Sequence, residues 1–217
     1  MADNYLEKKF DEAFGTRKVT RRVGHTLDEL LTRNRSTRGY DSRFCVGPHR
    51  LKQIIGVNTK IPSARNQQVL RFRPVHTPEE CARVLSCIRM GAALPELHLP
   101  FPGTEPTAYI VICSTVEANP MVYIDLGISV QSMLLRATEM GLNGLCICAF
   151  NKKEITEKLQ LPYEPLAVLA IGKGIERHRL ATLDSPEQSH NYYRTEDGTH
   201  VIPKLPVGQL LIPSDKA

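Results

Sequence analysis

The feature that most constrains the fold is a pair of short apolar runs, Thr107–Ser114 and Leu166–Ile171. Runs of this kind, rich in β-branched residues, are typical of strands that are buried on both faces. Both are far shorter than the roughly 20 apolar residues that a membrane span needs. The chain is therefore expected to build a central sheet inside the protein, with no membrane partner.

Helix signals lie around these two strands. Thr77 and Glu80 have the spacing of a capping box with Pro78 at the first helical position, and Gly141 is a typical stop after a long helical segment. Predicted helices begin at Thr26, after Pro48 and after Asn151, and span Thr77–Arg89 and about Val122–Met140; further strands are predicted at Val69–Val75 and Leu145–Phe150. This order predicts a three-layer α/β or α+β domain.

The length of 217 residues fits one large domain or two very small ones, at roughly 100–200 residues per domain. From residue 177 onward the sequence is polar, with few periodic runs. Residues 177–217 are therefore expected to form a C-terminal arm that lies on a partner subunit, and residues 1–25 an N-terminal extension. Met1–Phe14 lacks the apolar core of a signal peptide, and the six cysteines include no C-x-x-C pair. We expect a cytoplasmic protein without a metal site.

Positive charge is concentrated in one stretch, Ser42–Pro78, which contains no Asp or Glu. Its cations are Arg43, Arg50, Lys52, Lys60, Arg65, Arg71 and Arg73. They exceed the net charge of +5 of the whole chain, so the remainder is slightly acidic. Such a concentration attracts a phosphate, a nucleic acid or an acidic partner, although a solvated basic face has the same composition. No helix-turn-helix, RNA-recognition motif or zinc finger accompanies it, which makes nucleic acid the weaker interpretation.

Two polar clusters carry candidate chemistry. The first, Arg33–Asp41 (RNRSTRGYD), follows a predicted helix and places guanidinium groups beside a serine hydroxyl, a combination that binds phosphate oxygens. The second, Pro62–Gln68 (PSARNQQ), is a turn of small residues in which Asn66 and Gln68 can donate to and accept from the edge of a heterocycle. Each cluster alone is a weak signal of a binding site, but we expect the two to converge on one ligand.

Together with Asp125–Ala137 and Gly141–Leu145, these clusters resemble the FMN-dependent nitroreductase family. The motifs occur in the family's order, and the resemblance covers about residues 27–212. It implies a single nitroreductase-like FMN-binding domain over residues 1–217, an α+β fold described as a three-layer α/β/α sandwich with a mixed central sheet. It further implies a homodimer with FMN at the subunit interface, and an extended C-terminal arm on the partner subunit.

The resemblance also implies which residues bind the cofactor. They are Arg35, Ser36, Arg38, Pro62, Ser63, Ala64, Arg65, Asn66, Gln68, Gly144, Leu145 and Lys204. Arg35, Ser36 and Lys204 would face the phosphate, and Arg38 the ribityl chain or the pyrimidine edge. The Pro62–Gln68 turn would line the isoalloxazine ring, and backbone of Gly144 and Leu145 its central portion.

The activity that the resemblance implies is hydride transfer from NADH or NADPH to flavin N5 and then to a nitroaromatic, quinone or similar small planar acceptor. The two half-reactions would alternate in one pocket, with no catalytic side chain and no metal, because the cofactor supplies the chemistry. Arg38 or Arg65 would stabilise negative charge on the reduced ring. Two alternatives stay open: a basic module that binds nucleic acid or another polyanion, and an FMN-binding protein without turnover.

Overall fold

The computed structural model describes residues 24–91 and 97–212. Three segments lie outside the described residues: most of the predicted N-terminal extension, five residues of the loop that follows Gly91, and the end of the predicted arm.

The centre of the fold is an antiparallel sheet of four strands in the order β1-β2-β4-β3. The strands are β1 (Leu70–Val75), β2 (Ala108–Ser114), β3 (Asn143–Ile147) and β4 (Glu164–Gly172). Every residue of β2 is buried, and β4 is buried except at its first residue. The two central strands are therefore the two apolar runs that the sequence predicted. Two of the predicted boundaries move, because β1 starts at Leu70 and β3 runs from Asn143 to Ile147 rather than to Phe150.

Five helices accompany this sheet: α1 (Leu27–Arg33), α2 (Pro48–Ile55), α3 (Pro78–Leu85), α4 (Pro120–Glu139) and α5 (Lys152–Leu159). Helices α2 to α5 cover the sheet, whereas α1 has no buried residue and contacts α4. Apolar residues of α2 and α4 pack on one face of the sheet and those of α3 and α5 on the other, which gives the predicted three layers. Among the described residues, no helix is long and apolar enough to cross a membrane.

The helix ends follow the capping signals. The side chains of Thr26, Thr77 and Asn151 each accept a hydrogen bond from the backbone three residues later. The prediction that α3 extends to Arg89 is wrong, because the chain pairs with a distant segment from Ile88 onward: Ile88 forms a bridge with Phe150, and Arg89 N–H donates to the Ala149 carbonyl at 2.9 Å. A tertiary hydrogen bond thus ends a helix that local periodicity would have continued.

The segment after residue 177, predicted as an arm, contains strands that the sequence did not predict. It forms a second sheet in the order β5-β7-β6, from β5 (His178–Thr182), β6 (Tyr193–Arg194) and β7 (His200–Lys204). In it β5 and β7 are parallel while β6 and β7 are antiparallel. Mixed pairing was expected in the central sheet, but its four strands are all antiparallel. Parallel pairing occurs instead between β5 and β7 and in one isolated bridge from Ser36 to Gly144.

The second sheet packs on its own chain, since His200 N–H donates to the Arg177 carbonyl and Arg194 pairs with Glu176. Residues 174–176 in turn bond residues 38–40. Only the last part of the described chain has the exposure expected of an arm. It is the short helix α6 (Val207–Leu210) and the two residues after it, where Val207, Leu210, Leu211 and Ile212 are all exposed.

Candidate functional site

The Arg-Ser-x-Arg segment is attached to the free edge of the central sheet. Ser36 forms the parallel bridge to Gly144, and Thr37 N–H donates to the Gly144 carbonyl at 3.1 Å. The fully buried Tyr40 donates its hydroxyl to the Thr37 carbonyl at 2.6 Å. Backbone and core contacts therefore fix residues 36–40, so Arg38 within this segment and Arg35 just before it have a rigid support.

This segment forms one wall of a cavity of about 190 Å³, which we call the anion cavity. Its lining residues are Asn34, Arg35, Ser36, Arg38, Tyr192, His200, Ile202 and Lys204. The structure thus brings together Arg35, Ser36, Arg38 and Lys204, the residues that the resemblance assigned to the phosphate and its surroundings. The second wall comes from β7 and the residue before β6, so the cavity requires the second sheet.

Nitrogen atoms of three lining residues are buried without a hydrogen-bond partner among the described residues: Arg35 Nε, Arg38 Nε and His200 Nδ1. Buried polar groups are normally paired, because leaving one unpaired costs about 1–3 kcal/mol. Two unpaired cationic donors around one small cavity, beside a histidine nitrogen that donates when it carries the ring proton, are the chemistry of an anion site.

Burial also sets the charge on these groups. It lowers the pKa of the Arg35 guanidinium, which nevertheless stays protonated at neutral pH. Burial, with Arg38 beside it, lowers the pKa of His200 to about 4. His200 is therefore neutral near pH 7, and the positive charge of the cavity comes from its two arginines and Lys204.

Sequence reasoning missed Tyr192, His200 and Ile202. The ring of Tyr192 lies 5.2 Å from the Arg38 guanidinium carbon and 4.8 Å from the His200 ring, both measured to ring centroids. These contacts hold the Arg38 side chain against the second wall. No local signal marks the three residues, since they lie in the polar segment that the sequence indicated as an arm.

The second predicted cluster borders a different cavity, of about 380 Å³, which we call the turn cavity. Most of its lining is apolar, and it includes Ile55, Ile61, Pro62, Ser63, Gln68, Val69, Phe72 and Asp125. Its volume and apolar walls suit a small planar molecule.

The turn itself is held in an unusual backbone conformation. Arg65, Asn66 and Gln68 have φ of 51°, 54° and 49°, a left-handed region that Asn tolerates but that strains other side chains. Asp125, which is 5% exposed, holds the turn by accepting a hydrogen bond from Ala64 N–H at 2.8 Å. Backbone strain of this kind persists where surrounding contacts enforce it, commonly at binding sites.

The two predicted clusters do not converge within one chain. Among the described residues, none lines both cavities. The turn cavity lies beside Asp125, whereas Leu134 of the same helix contacts Gly144 next to the anion cavity. Nine residues of α-helix separate these two positions, or about 13 Å along the axis.

The remaining predicted residues line neither cavity. Leu145 is buried in the core on the α3 and α5 side of the sheet. Gly144 contributes its carbonyl to Thr37, as described above. Ala64, Arg65 and Asn66 form the turn without lining its cavity, and Arg65 and Asn66 are exposed.

Comparison with known proteins agrees with this architecture. The sequence model of the nitroreductase family matches residues 31–173. Among curated proteins, none matches the chain.

Three solved structures represent the similar folds. A nitroreductase-like protein from Exiguobacterium sibiricum, solved in complex with FMN, is 18% identical with a TM-score of 0.62, over 88% of this chain and 98% of that one. An FMN-dependent nitroreductase from Clostridium difficile is 24% identical with a TM-score of 0.57, over 68% and 87%. An FMN- and NADPH-dependent nitroreductase from a Sphigopyxis strain is 18% identical with a TM-score of 0.57, over 70% and 89%.

At these identities the structures establish a shared fold, and the family match establishes more. It spans most of the chain, from α1 through the last central strand, and includes the Arg-Ser-x-Arg segment, the turn and the long helix α4. The chain therefore belongs to the nitroreductase family.

Proposed function

We propose that this protein is an FMN-dependent oxidoreductase that transfers hydride from NADH or NADPH to a nitroaromatic, quinone or similar small planar acceptor. The observation that carries the proposal is the pair of buried, unpaired guanidinium donors of Arg35 and Arg38, with the unpaired ring nitrogen of His200, around the anion cavity. Family membership and the FMN named for the C. difficile and E. sibiricum proteins support the same cofactor.

The residues of the anion cavity fit a phosphate monoester. Arg35, Lys204 and the Ser36 hydroxyl offer charged and neutral donors to phosphate oxygens. Arg38, held against Tyr192, is placed to neutralise charge next to that phosphate. FMN, when bound, supplies the hydride chemistry itself. The chain's own contribution is to bind and orient FMN, and both cavities belong to one functional domain.

We further propose a homodimer in which FMN spans the subunit interface. Within one chain the anion cavity and the turn cavity are separate, so one chain alone does not place both clusters on one ligand. The subunit surface also carries exposed apolar side chains on α1 and α4: Leu27 is 62% exposed and Tyr123 and Ile124 are each 53% exposed. Apolar patches of this kind are typical of protein interfaces. The anion cavity of one subunit would then meet the Pro62–Gln68 turn of its partner.

A titration with FMN tests the activity. We expect the purified protein to bind FMN stoichiometrically, to lose the flavin absorbance when NADH or NADPH is added without oxygen, and to recover it when a nitroaromatic or quinone follows. FMN binding without NAD(P)H oxidation would indicate an FMN-binding protein without turnover. Salt-dependent retention on DNA together with no flavin uptake would instead select the basic binding module.

Mixing two defective chains tests the interface. We expect a chain with Arg35→Ala and Lys204→Ala, and a chain with Ser63→Tyr in the turn, each to retain little FMN. After joint unfolding and refolding, half of the dimers combine the two chains and each of these has one intact site, so about a quarter of the sites are recovered. The control mixes two chains altered in the same half-site, Arg35→Ala with Lys204→Ala, which should recover nothing. Equal FMN content in both mixtures would contradict the shared site.

A further inference from the structure

One carboxylate lies behind the anion cavity without lining it. The side chain of Glu176 is 8% exposed, and it follows the Gly174 bridge to Tyr40 at the start of the second sheet. One carboxylate oxygen accepts a hydrogen bond from Arg38 N–H at 2.7 Å, across 138 positions of sequence. The other accepts from the Arg194 guanidinium, and His178 Nε2 lies 3.6 Å from the oxygen that accepts from Arg38 N–H.

Glu176 is ionised at neutral pH. Burial alone would raise the pKa of its carboxyl group, but the contacts with His178, the Arg38 N–H and Arg194 outweigh burial and hold that pKa at about 2. The cavity therefore has a fixed negative charge directly behind its cations. Such a charge repels an anionic ligand, so the role of Glu176 is not to attract the ligand.

The contacts of Glu176 connect the two walls of the cavity. Arg38 belongs to the first wall, whereas Arg194 and His178 lie on β6 and β5, the two strands that pair with β7. β7 provides the His200 and Lys204 of the second wall. A single side chain thus bonds the backbone of one wall and the sheet that supports the other.

We propose that Glu176 is a positioning residue for the anion cavity, fixing the Arg38 backbone and the second sheet at the separation that a phosphate requires. This inference rests on the proposed function for the identification of that anion as the phosphate of FMN. Backbone contacts between Gly39 and Ile175 also join the two regions, at 3.1 Å. A test of the proposal must therefore separate the effect of the Glu176 carboxylate from that of these backbone contacts.

The experiment compares FMN with riboflavin, which lacks the phosphate, on the folded full chain. For Glu176→Ala we expect the dissociation constant of FMN to rise about 10-fold or more, the loss expected when a charge-assisted hydrogen bond is removed, with that of riboflavin unchanged. Glu176→Gln, which keeps an oxygen acceptor for Arg38 N–H, should recover part of the affinity. The matched control is Asp197→Ala, which removes an exposed acid of the same region that contacts Arg177 and neighbouring threonines and should leave both constants unchanged.

Each other outcome is decisive. Tighter FMN binding by Glu176→Ala would mean that the carboxylate acts only through its charge, and unchanged binding would mean that it has no role at the cavity; either result would overturn the proposal. Equal weakening of FMN and riboflavin would also overturn it, since the role would then be general to the fold. If the unaltered protein binds neither flavin, the proposed function fails. The same variants titrated with inorganic phosphate by ³¹P NMR then decide the role of Glu176, with weaker phosphate binding by Glu176→Ala supporting it and unchanged binding overturning it.

Discussion

Replacing Arg35 and Lys204 together with alanine is expected to raise the dissociation constant of FMN about 100- to 10,000-fold, because each charged donor to a phosphate contributes roughly 1.5–3 kcal/mol. Both residues line the anion cavity, from opposite walls, and no carboxylate of the described residues lines it with them. Riboflavin affinity should change by no more than a few-fold, since the lost contacts are to the phosphate. Fluorescence titration with both flavins measures the two constants.

The control for that prediction is Arg177→Ala, which removes an exposed arginine beside the second sheet that pairs with Asp197. It lowers the net charge of the protein without altering the lining of the cavity, and FMN affinity should stay within about 2-fold because long-range surface charge is screened by salt. If the Arg35 and Lys204 pair and the Arg177 control weaken FMN binding to the same extent, the cavity does not bind the phosphate.

Gly144→Ala is expected to lower the free energy of unfolding by about 1–3 kcal/mol, the usual cost of overpacking a core. A Cβ at this position would lie 2.5 Å from Leu134 Cδ2, 2.9 Å from the Ala170 carbonyl oxygen and 3.1 Å from Ile171 Cδ1. The carbonyl belongs to the backbone of central strand β4, so the side chain of Leu134 can move aside but the strand cannot. Urea unfolding at one fixed protein concentration measures the effect.

The same substitution at Gly56 provides the comparison. In the part of the chain that the structure describes, nothing lies within 4 Å of a Cβ built there, and the backbone of Gly56 is helical with φ −58° and ψ −17°. Gly56→Ala should therefore raise stability by about 0.4–1 kcal/mol, by restricting the unfolded chain. If the Gly144→Ala protein were as stable as the Gly56→Ala protein, the edge of the sheet would have room for a Cβ at position 144. The close packing at Gly144 could then not explain why residues 36–40 are rigidly held.

The elements that could be predicted from the sequence are those whose evidence is local. The apolar run of β2 is buried throughout, and α4 begins and ends within two residues of its prediction, because periodicity and the Gly141 stop act over a few positions. Arg35, Ser36, Arg38 and Lys204 were assigned by resemblance, and the structure places all of them around one cavity.

What could not be predicted depends on contacts between distant parts of the chain. The strands of the second sheet are two to five residues long and mostly half-exposed, so their sequences lack a clear apolar alternation. Tyr192, His200 and Glu176 become part of the site only when that sheet packs against residues 36–40. Likewise, the separation of the two cavities depends on how far α4 extends between them.

The pairing of Arg38 with Glu176, 138 positions later, has a consequence for biosynthesis. During translation the central sheet can assemble once Gly172 has left the ribosome, whereas the second wall of the anion cavity still awaits His200 and Lys204. Contacts so distant in sequence also form slowly, because closing a long loop costs entropy before the contact compensates it. If the anion cavity binds the phosphate of FMN as proposed, capture of the cofactor is among the last events of maturation, because a nascent chain lacks the second wall until nearly all of the described residues have been made.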